Sequence, residues 1–275
     1  MYLTDFVFDN VKLSMLGYIV GSAVTSNNDS SSAGSKLELN TIMNRGNHIN
    51  QIISASYNEP ITATFDIIKH ACNNNAYETV EDTEISYMMT WLNRTEYCTF
   101  YPIYDDLSLP NIFFKGTFTE INTIQIGGNV IGFTLTFTAS TPYGFADYED
   151  NEFEFMSGNK QFIFYDQSDE YGYHYPDKII ITNKNNDNGT VYVLFREGKN
   201  IAIINNCVYG EIITLDCIHK IITSSENHPT LYKDFTYSFP RFFKSTSSSS
   251  NTLYSMYPAH IKIIYKPIKK VGIIV

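Results

Sequence analysis

Apolar and polar residues alternate along much of this chain, and a period of two marks strands with one buried face. Between Ile61 and Ile67 the apolar positions are Ile61, Ala63, Phe65 and Ile67. In the segment from Ile131 to Phe137, the side chains of Ile131, Phe133, Leu135 and Phe137 face one way, and Thr134 and Thr136 the other. Gly127, Gly128 and Asn129 separate that segment from the preceding run Thr123 to Ile126. Gly and Asn tolerate positive φ, so the spacing predicts a hairpin.

One stretch has the helical period instead. Between Thr79 and Thr95, Ile85, Met88, Met89 and Leu92 recur at i, i+3, i+4 and i+7. Thr79 followed by Asp82 resembles an N-cap, and Glu81, Asp82 and Glu84 suit the positive end of the helix dipole. The expected helix runs from Thr79 to Asn93 and is the longest in the chain, with Trp91 at the edge of its apolar stripe.

After Phe137, Pro142 and Gly144 break the strand, and an acidic run follows with Asp147, Glu149, Asp150, Glu152 and Glu154. Such a run reads as a solvated linker or an edge strand. The domain boundary is expected between Ser140 and Lys160, giving domains 1–145 and 146–275. Beyond it the expected strands are Gln161–Tyr165, Lys178–Thr182, Thr190–Phe195, Ile201–Ile204, Glu211–Leu215, His219–Thr223, Phe235–Phe239 and His260–Lys266. Short strands at near-regular spacing with no helical pattern between them predict a β-sandwich of jelly-roll type. The fold class expected for the whole is mainly β with one helix.

Composition narrows the function. The 275 residues are 43% hydrophobic and include 21 Tyr and 19 Phe, ample for packed cores. The net charge is −10, and sequence-independent DNA binding needs the opposite sign to displace counterions from phosphate. The first twelve residues carry Asp5 and Asp9 and lack the basic start and apolar core of a secretory signal. No apolar run is long enough to cross a bilayer, so neither membrane insertion nor specific nucleic-acid binding is expected. Cys72, Cys98, Cys207 and Cys217 form no Cys-x-x-Cys pair and read as reduced, buried thiols.

The search for chemistry returns little. His70 with Cys72 and Cys217 with His219 each lie two apart, which on an extended segment would put both side chains on one face. Neither pair has two further ligands nearby in sequence, so no metal and no cofactor is expected. Asp105 with Asp106 and Asp169 with Glu170 sit beside turn residues, where paired acids are mostly solvated. No Gly-x-Ser-x-Gly elbow, phosphate-binding loop or dinucleotide fingerprint occurs, so no catalytic residue is assigned and the chain is read as a non-enzyme. Tyr171, Tyr173 and Tyr175 would share one face of an extended segment. They read either as a sugar platform or as tyrosine bodies covering a sheet with wet hydroxyls.

Phe6 to Ser14 followed by Leu16 to Val20; Asn44 to Gly46; Tyr57 to Pro60; and the helix ending Trp91, Leu92, Asn93 resemble, in that order, the distal tail protein family of siphophages that infect Gram-positive hosts. Phe114 to Thr117, the Gly127–Gly128 turn, Phe133 to Phe137 and Thr141 to Tyr143 continue the series. In the second half, Tyr173 to Pro176, Gly210 with Glu211, Lys220 to Thr223, Phe235 to Pro240 and Tyr265 to Gly272 also match. The Ser- and Asn-rich loop from Ser26 to Ser35 departs from the pattern.

The resemblance implies a first domain that closes into a homo-hexameric ring, as a β-barrel or sandwich, and a second, galectin-like sandwich. It implies a structural virion protein of the distal tail or baseplate, made in the host cytoplasm, with no catalysis. The ring would join the tail tube protein to the tail-tip protein, with a receptor-binding protein as a further partner. Two other readings stand beside it: a carbohydrate-binding host-recognition module and, more distantly, a wall-degrading enzyme.

Overall fold

The computed structural model describes residues 2–275 apart from 22–33, 45, 47, 58, 71–77, 107–110, 157–160 and 187. The chain forms two compact units, Met1–Ala146 with Lys269–Val275, and Asp147–Ile268.

The first unit is built on one sheet. Its strands are β1 (Leu3–Phe8), β2 (Val11–Lys12), β3 (Tyr18–Val20), β6 (Thr62–Lys69), β7 (Cys98–Tyr104), β8 (Ile112–Ile126), β9 (Asn129–Ala139) and β10 (Gly144–Ala146). A separate two-stranded sheet pairs β4 (Leu37–Asn44) with β5 (Ile49–Tyr57). The order along the large sheet is β2-β1-β7-β8-β9-β6-β3, with β10 paired to β8 off this path.

The β8–β9 hairpin turns at Gly127 and Gly128, both at positive φ (61° and 87°), as glycine permits. Phe133, Leu135 and Phe137 are fully buried, as their alternation predicts. The opposite face of β9 is polar. There Thr136 Oγ1 lies 3.1 Å from Thr64 Oγ1, and Thr134 donates to Asp66 at 2.6 Å. Gly132 packs so closely on β6 that an added methyl would overlap the Ile67 carbonyl oxygen.

The core is aromatic. Phe6, Phe65, Phe100, Phe118 and Phe137 come from five different strands and pack ring against ring; the Phe100 and Phe137 centroids stack 4.4 Å apart. Burying each such ring contributes roughly 1.5–3 kcal/mol.

The helix α1 (Asp82–Leu92) covers this core with Met88, Trp91 and Leu92. It is the longest helix among the described residues but starts later than its sequence suggests. Glu81 is the N-cap, and a capping box joins it to Glu84, whose carboxylate accepts the Glu81 N–H at 2.9 Å. Thr79 and Val80 are otherwise committed: the Thr79 carbonyl accepts from Lys69 Nζ, and the Val80 N–H donates to Val130 at 2.7 Å. The stripe is also narrower than expected, since Met89 is exposed and Trp91 takes its place in the core.

The second unit is a sandwich of two antiparallel sheets. Its strands are β11 (Glu149–Phe155), β12 (Gln161–Tyr165), β13 (Gly172–His174), β14 (Lys178–Asn183), β15 (Gly189–Phe195), β16 (Asn200–Cys207), β17 (Ile212–Asp216), β18 (Ile221–Ser224), β19 (Phe242–Lys244), β20 (Ser250–Tyr254) and β21 (Ala259–Tyr265). One sheet runs β11-β21-β14-β17-β18 and the other β12-β20-β15-β16; β13 and β19 pair as a ribbon. Alternate residues of these strands, among them Ile179, Ile181, Val191, Val193, Ile261 and Ile263, close the core.

The acidic run is an edge strand. Asp150 and Glu152 of β11 pair with Lys262 of β21 at 2.7 and 3.3 Å. Two expected strands differ. His219 is in a turn, because Asp216 accepts from the backbone N–H groups of Ile218 and His219 and from the His219 ring. Phe235–Phe239 is not a strand: a short helix α2 (Leu231–Asp234) precedes it, a single bridge joins Phe235 to Ile204, and Tyr237 adopts φ 56°.

The two-residue strand β22 (Ile268–Lys269) pairs with β10. The segment Lys269–Val275, which the sequence places in the second domain, belongs to the first unit. Ile273 is fully buried in that core, and the Ile274 N–H donates to Tyr104 Oη at 3.3 Å.

Candidate assembly surface

The β4–β5 hairpin is the least self-sufficient part of the first unit. Among the described residues its two strands pair only with each other. An isolated two-stranded hairpin is at best marginal in water. Its register explains what it offers. Leu37 pairs with Tyr57 and Leu39 with Ala55; a bulge between Asn40 and Thr41 then shifts the phase, so that Ile42 lies opposite Gln51. The extra residue is Ile53 on β5, so β4 keeps its alternation: Leu37, Leu39, Thr41 and Met43 share one face, and Glu38, Asn40 and Ile42 the other. Ile52, paired with Thr41, lies on the face of Leu37 and Leu39, and Ile49 lies on the other.

Leu37, Leu39, Met43 and Ile52 are open to solvent, from 48% at Leu37 and Leu39 to 62% at Met43, and so are Ile42 and Ile49 on the other face. That other face also carries Glu38, Asn40, Ser54 and Ser56. Apolar exposure on this scale along an extended ribbon is the signature of a surface made to be covered. The base of the hairpin is anchored within its unit: the Tyr57 ring meets Tyr143 edge to face at 5.5 Å, and Lys270 Nζ lies 5.5 Å from its centroid. Asn44 ends β4 and Gly46 lies in a turn; residue 45 is outside the described set.

In the second unit Tyr171, Tyr173 and Tyr175 are all exposed, as expected for one face. They do not form an open platform. The Arg241 guanidinium sits 4.0 Å from the Tyr173 ring centroid and Lys220 Nζ 3.2 Å from that of Tyr175. Cations on aromatic faces favour protein–protein stability here over sugar stacking.

The cysteines described, Cys98, Cys207 and Cys217, are free and buried. Cys217 does not join His219: the thiol is buried, while the imidazole after the turn is 70% exposed. The pair His70 and Cys72 lies partly outside the described residues. Asp105, Asp106 and Asp169 are exposed in loops, as expected, whereas Glu170 is half-buried.

The structure brings together one group that the sequence search missed. Cys207, Glu211 and His228 place their ligand atoms within 4.8 Å of one another. Hydrogen bonds from Ser224, His228 and the Val208 backbone hold the Glu211 carboxyl below its usual range despite burial, which opposes them. The three residues span more than twenty positions, beyond the local spacing that marks a ligand motif.

Both units match known protein families. Residues 1–141 match the model of the phage tail protein N-terminal domain, and residues 143–265 that of the phage tail C-terminal domain. A β-rich chain whose two units match phage tail domains is a structural protein of the phage tail class. More particularly, this chain belongs to the phage tail protein family that these two domains define. No curated protein matches it.

Among solved structures it is similar to the Dit protein of phage SPP1, described as a paradigm of the hub adsorption apparatus of phages infecting Gram-positive hosts. The TM-score is 0.64 at 12% identity, covering 96% of this chain and 99% of that one. A chain of the phage P2 baseplate matches with a TM-score of 0.51 at 11% identity, over 96% and 98% of the two chains. The fold is therefore Dit-like over both units.

Proposed function

We propose that this protein is the ring-forming hub of a phage tail. Copies of the first unit, Met1–Ala146 with Lys269–Val275, associate through the β4–β5 hairpin into a hexamer, and the second unit, Asp147–Ile268, lies outside the ring contacts. The ring joins the tail tube protein to the tail-tip protein at the distal end of the virion. It offers a receptor-binding protein a place to attach and carries out no chemistry.

The observation that carries this reading is the apolar face of the hairpin. Leu37, Leu39, Met43 and Ile52 are exposed on one face of the hairpin in one chain and need a neighbour. A second copy is the occupant that the fold of a hub protein supports, and pairing of the hairpin's outer edges between neighbours would leave no strand edge open to aggregation. The net charge of −10 suits a ring around the path of a genome, because a basic channel would hold DNA by its phosphates. The sugar-binding alternative has less behind it, with cations lying on the Tyr173 and Tyr175 rings.

The test is mass measurement of the full chain by light scattering at several concentrations, beside a Leu39→Asp, Ile52→Asp double variant. The wild type should give a mass near six chains and the variant a monomer with an unchanged circular dichroism spectrum. A wild type that stays monomeric throughout, or a variant that assembles equally well, refutes ring formation through this surface.

A further inference from the structure

The cluster of Cys207, Glu211 and His228 has no part in the assembly just proposed. Cys207 ends β16, Glu211 follows the turn at Gly210 (φ 83°) and leads into β17, and His228 lies in the loop before α2. The Cys207 and Glu211 side chains are buried, and that of His228 is 5% exposed.

Two of the three donors are held in place, while the Cys207 thiol donates weakly to the Ile204 and Asn205 carbonyls at 3.7 and 3.8 Å. His228 Nε2 lies 3.1 Å from Asp234 Oδ2, and Thr230 Oγ1 (2.5 Å) and Asn206 Nδ2 (2.8 Å) fix the Asp234 carboxylate in turn. A carboxylate that holds the far nitrogen is the usual support of a metal-binding imidazole. The near nitrogen, Nδ1, faces Glu211 Oε1 at 2.8 Å. Glu211 Oε2 is anchored by the Val208 N–H at 2.8 Å, which directs Oε1 into the cluster, where Ser224 Oγ also donates to it.

We propose that Cys207 Sγ, Glu211 Oε1 and His228 Nδ1 bind one divalent cation of the zinc class, with solvent in the fourth position. The donor set selects the metal: one sulfur, one nitrogen and one oxygen suit zinc, whereas calcium and magnesium take oxygen alone. Charge selects it too. Both His228 nitrogens face carboxylate oxygens, so without metal the ring carries two N–H groups. Binding releases the Sγ–H and Nδ1–H protons to solvent and sets two positive charges against one thiolate and one carboxylate. The buried inner shell stays neutral, which a site of low dielectric requires.

At zinc–ligand bond lengths the edges of a tetrahedron are about 3.3–3.8 Å, so the Glu211–His228 contact widens by about half an ångström.

The test uses the untagged full chain with Co²⁺ as a spectroscopic probe and Zn²⁺ in calorimetry. One equivalent of Co²⁺ should give tetrahedral d–d bands and a sulfur-to-metal charge-transfer band, both bleached by Zn²⁺. Cys207→Ser should remove the charge-transfer band, and Cys98→Ser, in the other unit, should keep it. Asp234→Asn should weaken zinc about tenfold or more. A wild type without the charge-transfer band overturns the proposal, as does a band that survives in Cys207→Ser. If Cys207→Ser does not fold, His228→Gln decides, and an unchanged band there overturns it equally.

Discussion

The indole N–H of Trp91 donates to the backbone carbonyl of Phe8 at 3.0 Å, joining α1 to β1 across most of the first unit's sequence. The same ring stacks on Phe6, with centroids 6.0 Å apart and planes 12° from parallel. Trp91 thus fills the core and satisfies the end of a strand. Replacing it by Phe keeps most of the ring and leaves a buried carbonyl without its donor. Trp91→Phe should cost about 1–3 kcal/mol in denaturant melts.

Leu135 is fully buried in β9, opposite Phe65 on one side and Ile121 on the other. Leu135→Ala should cost about 2–5 kcal/mol. A loss under about 0.5 kcal/mol is the scale of an exposed substitution and would place the residue on the wrong face.

Gly132 tests the approach of β6 and β9. A Cβ there meets the Ile67 carbonyl, which belongs to the sheet and cannot swing aside. Gly132→Ala should cost about 1–3 kcal/mol by overpacking, although alanine is otherwise the milder strand residue. Gly127→Ala, in open space but at positive φ, separates backbone strain from steric overlap.

The helix start should respond to acid. Lys69 Nζ donates to Glu84 at 2.8 Å, and with the Glu81 N–H this holds the Glu84 carboxyl below the ordinary range. A lowered folded value means that the stabilisation is present above the ordinary glutamate pKa and is lost as pH falls through the lowered one. Glu84→Gln keeps a capping side chain but not the charge. The variant should be less stable than the wild type near neutral pH, and the gap should close in acid. Melts that stay equally far apart down to low pH would show that the charge does not matter.

The sequence was most legible where one local rule decided the outcome. Phe133, Leu135 and Phe137 alternate because one sheet face meets a core, and Gly127 and Gly128 turn because few other residues can. Where a distant partner decided, it was silent. Nothing within a few residues of Thr79 shows that its carbonyl answers Lys69, so the helix start was misplaced. Nothing near Phe235 shows that Ile204 will hold it in a single bridge. The hairpin from Leu37 to Tyr57 is not legible as a paired element because its bulge breaks the period of two in the second strand, at Ile53. Cys207, Glu211 and His228 were missed because two strands and a loop separate them along the chain.

The return of Lys269–Val275 to the first unit also orders events during synthesis. The aromatic core around Phe6 can collapse early, yet the place of Ile273 stays unfilled until the whole second sandwich has emerged from the ribosome. An apolar ribbon such as the β4–β5 hairpin is hazardous on a nascent chain, where neighbouring polysomal copies stand close by. A unit that reaches its final form only after residue 273 is made delays the matured surface until translation of the sandwich is past. A fragment stopped near Thr141 would therefore be a kinetic intermediate rather than a free-standing domain.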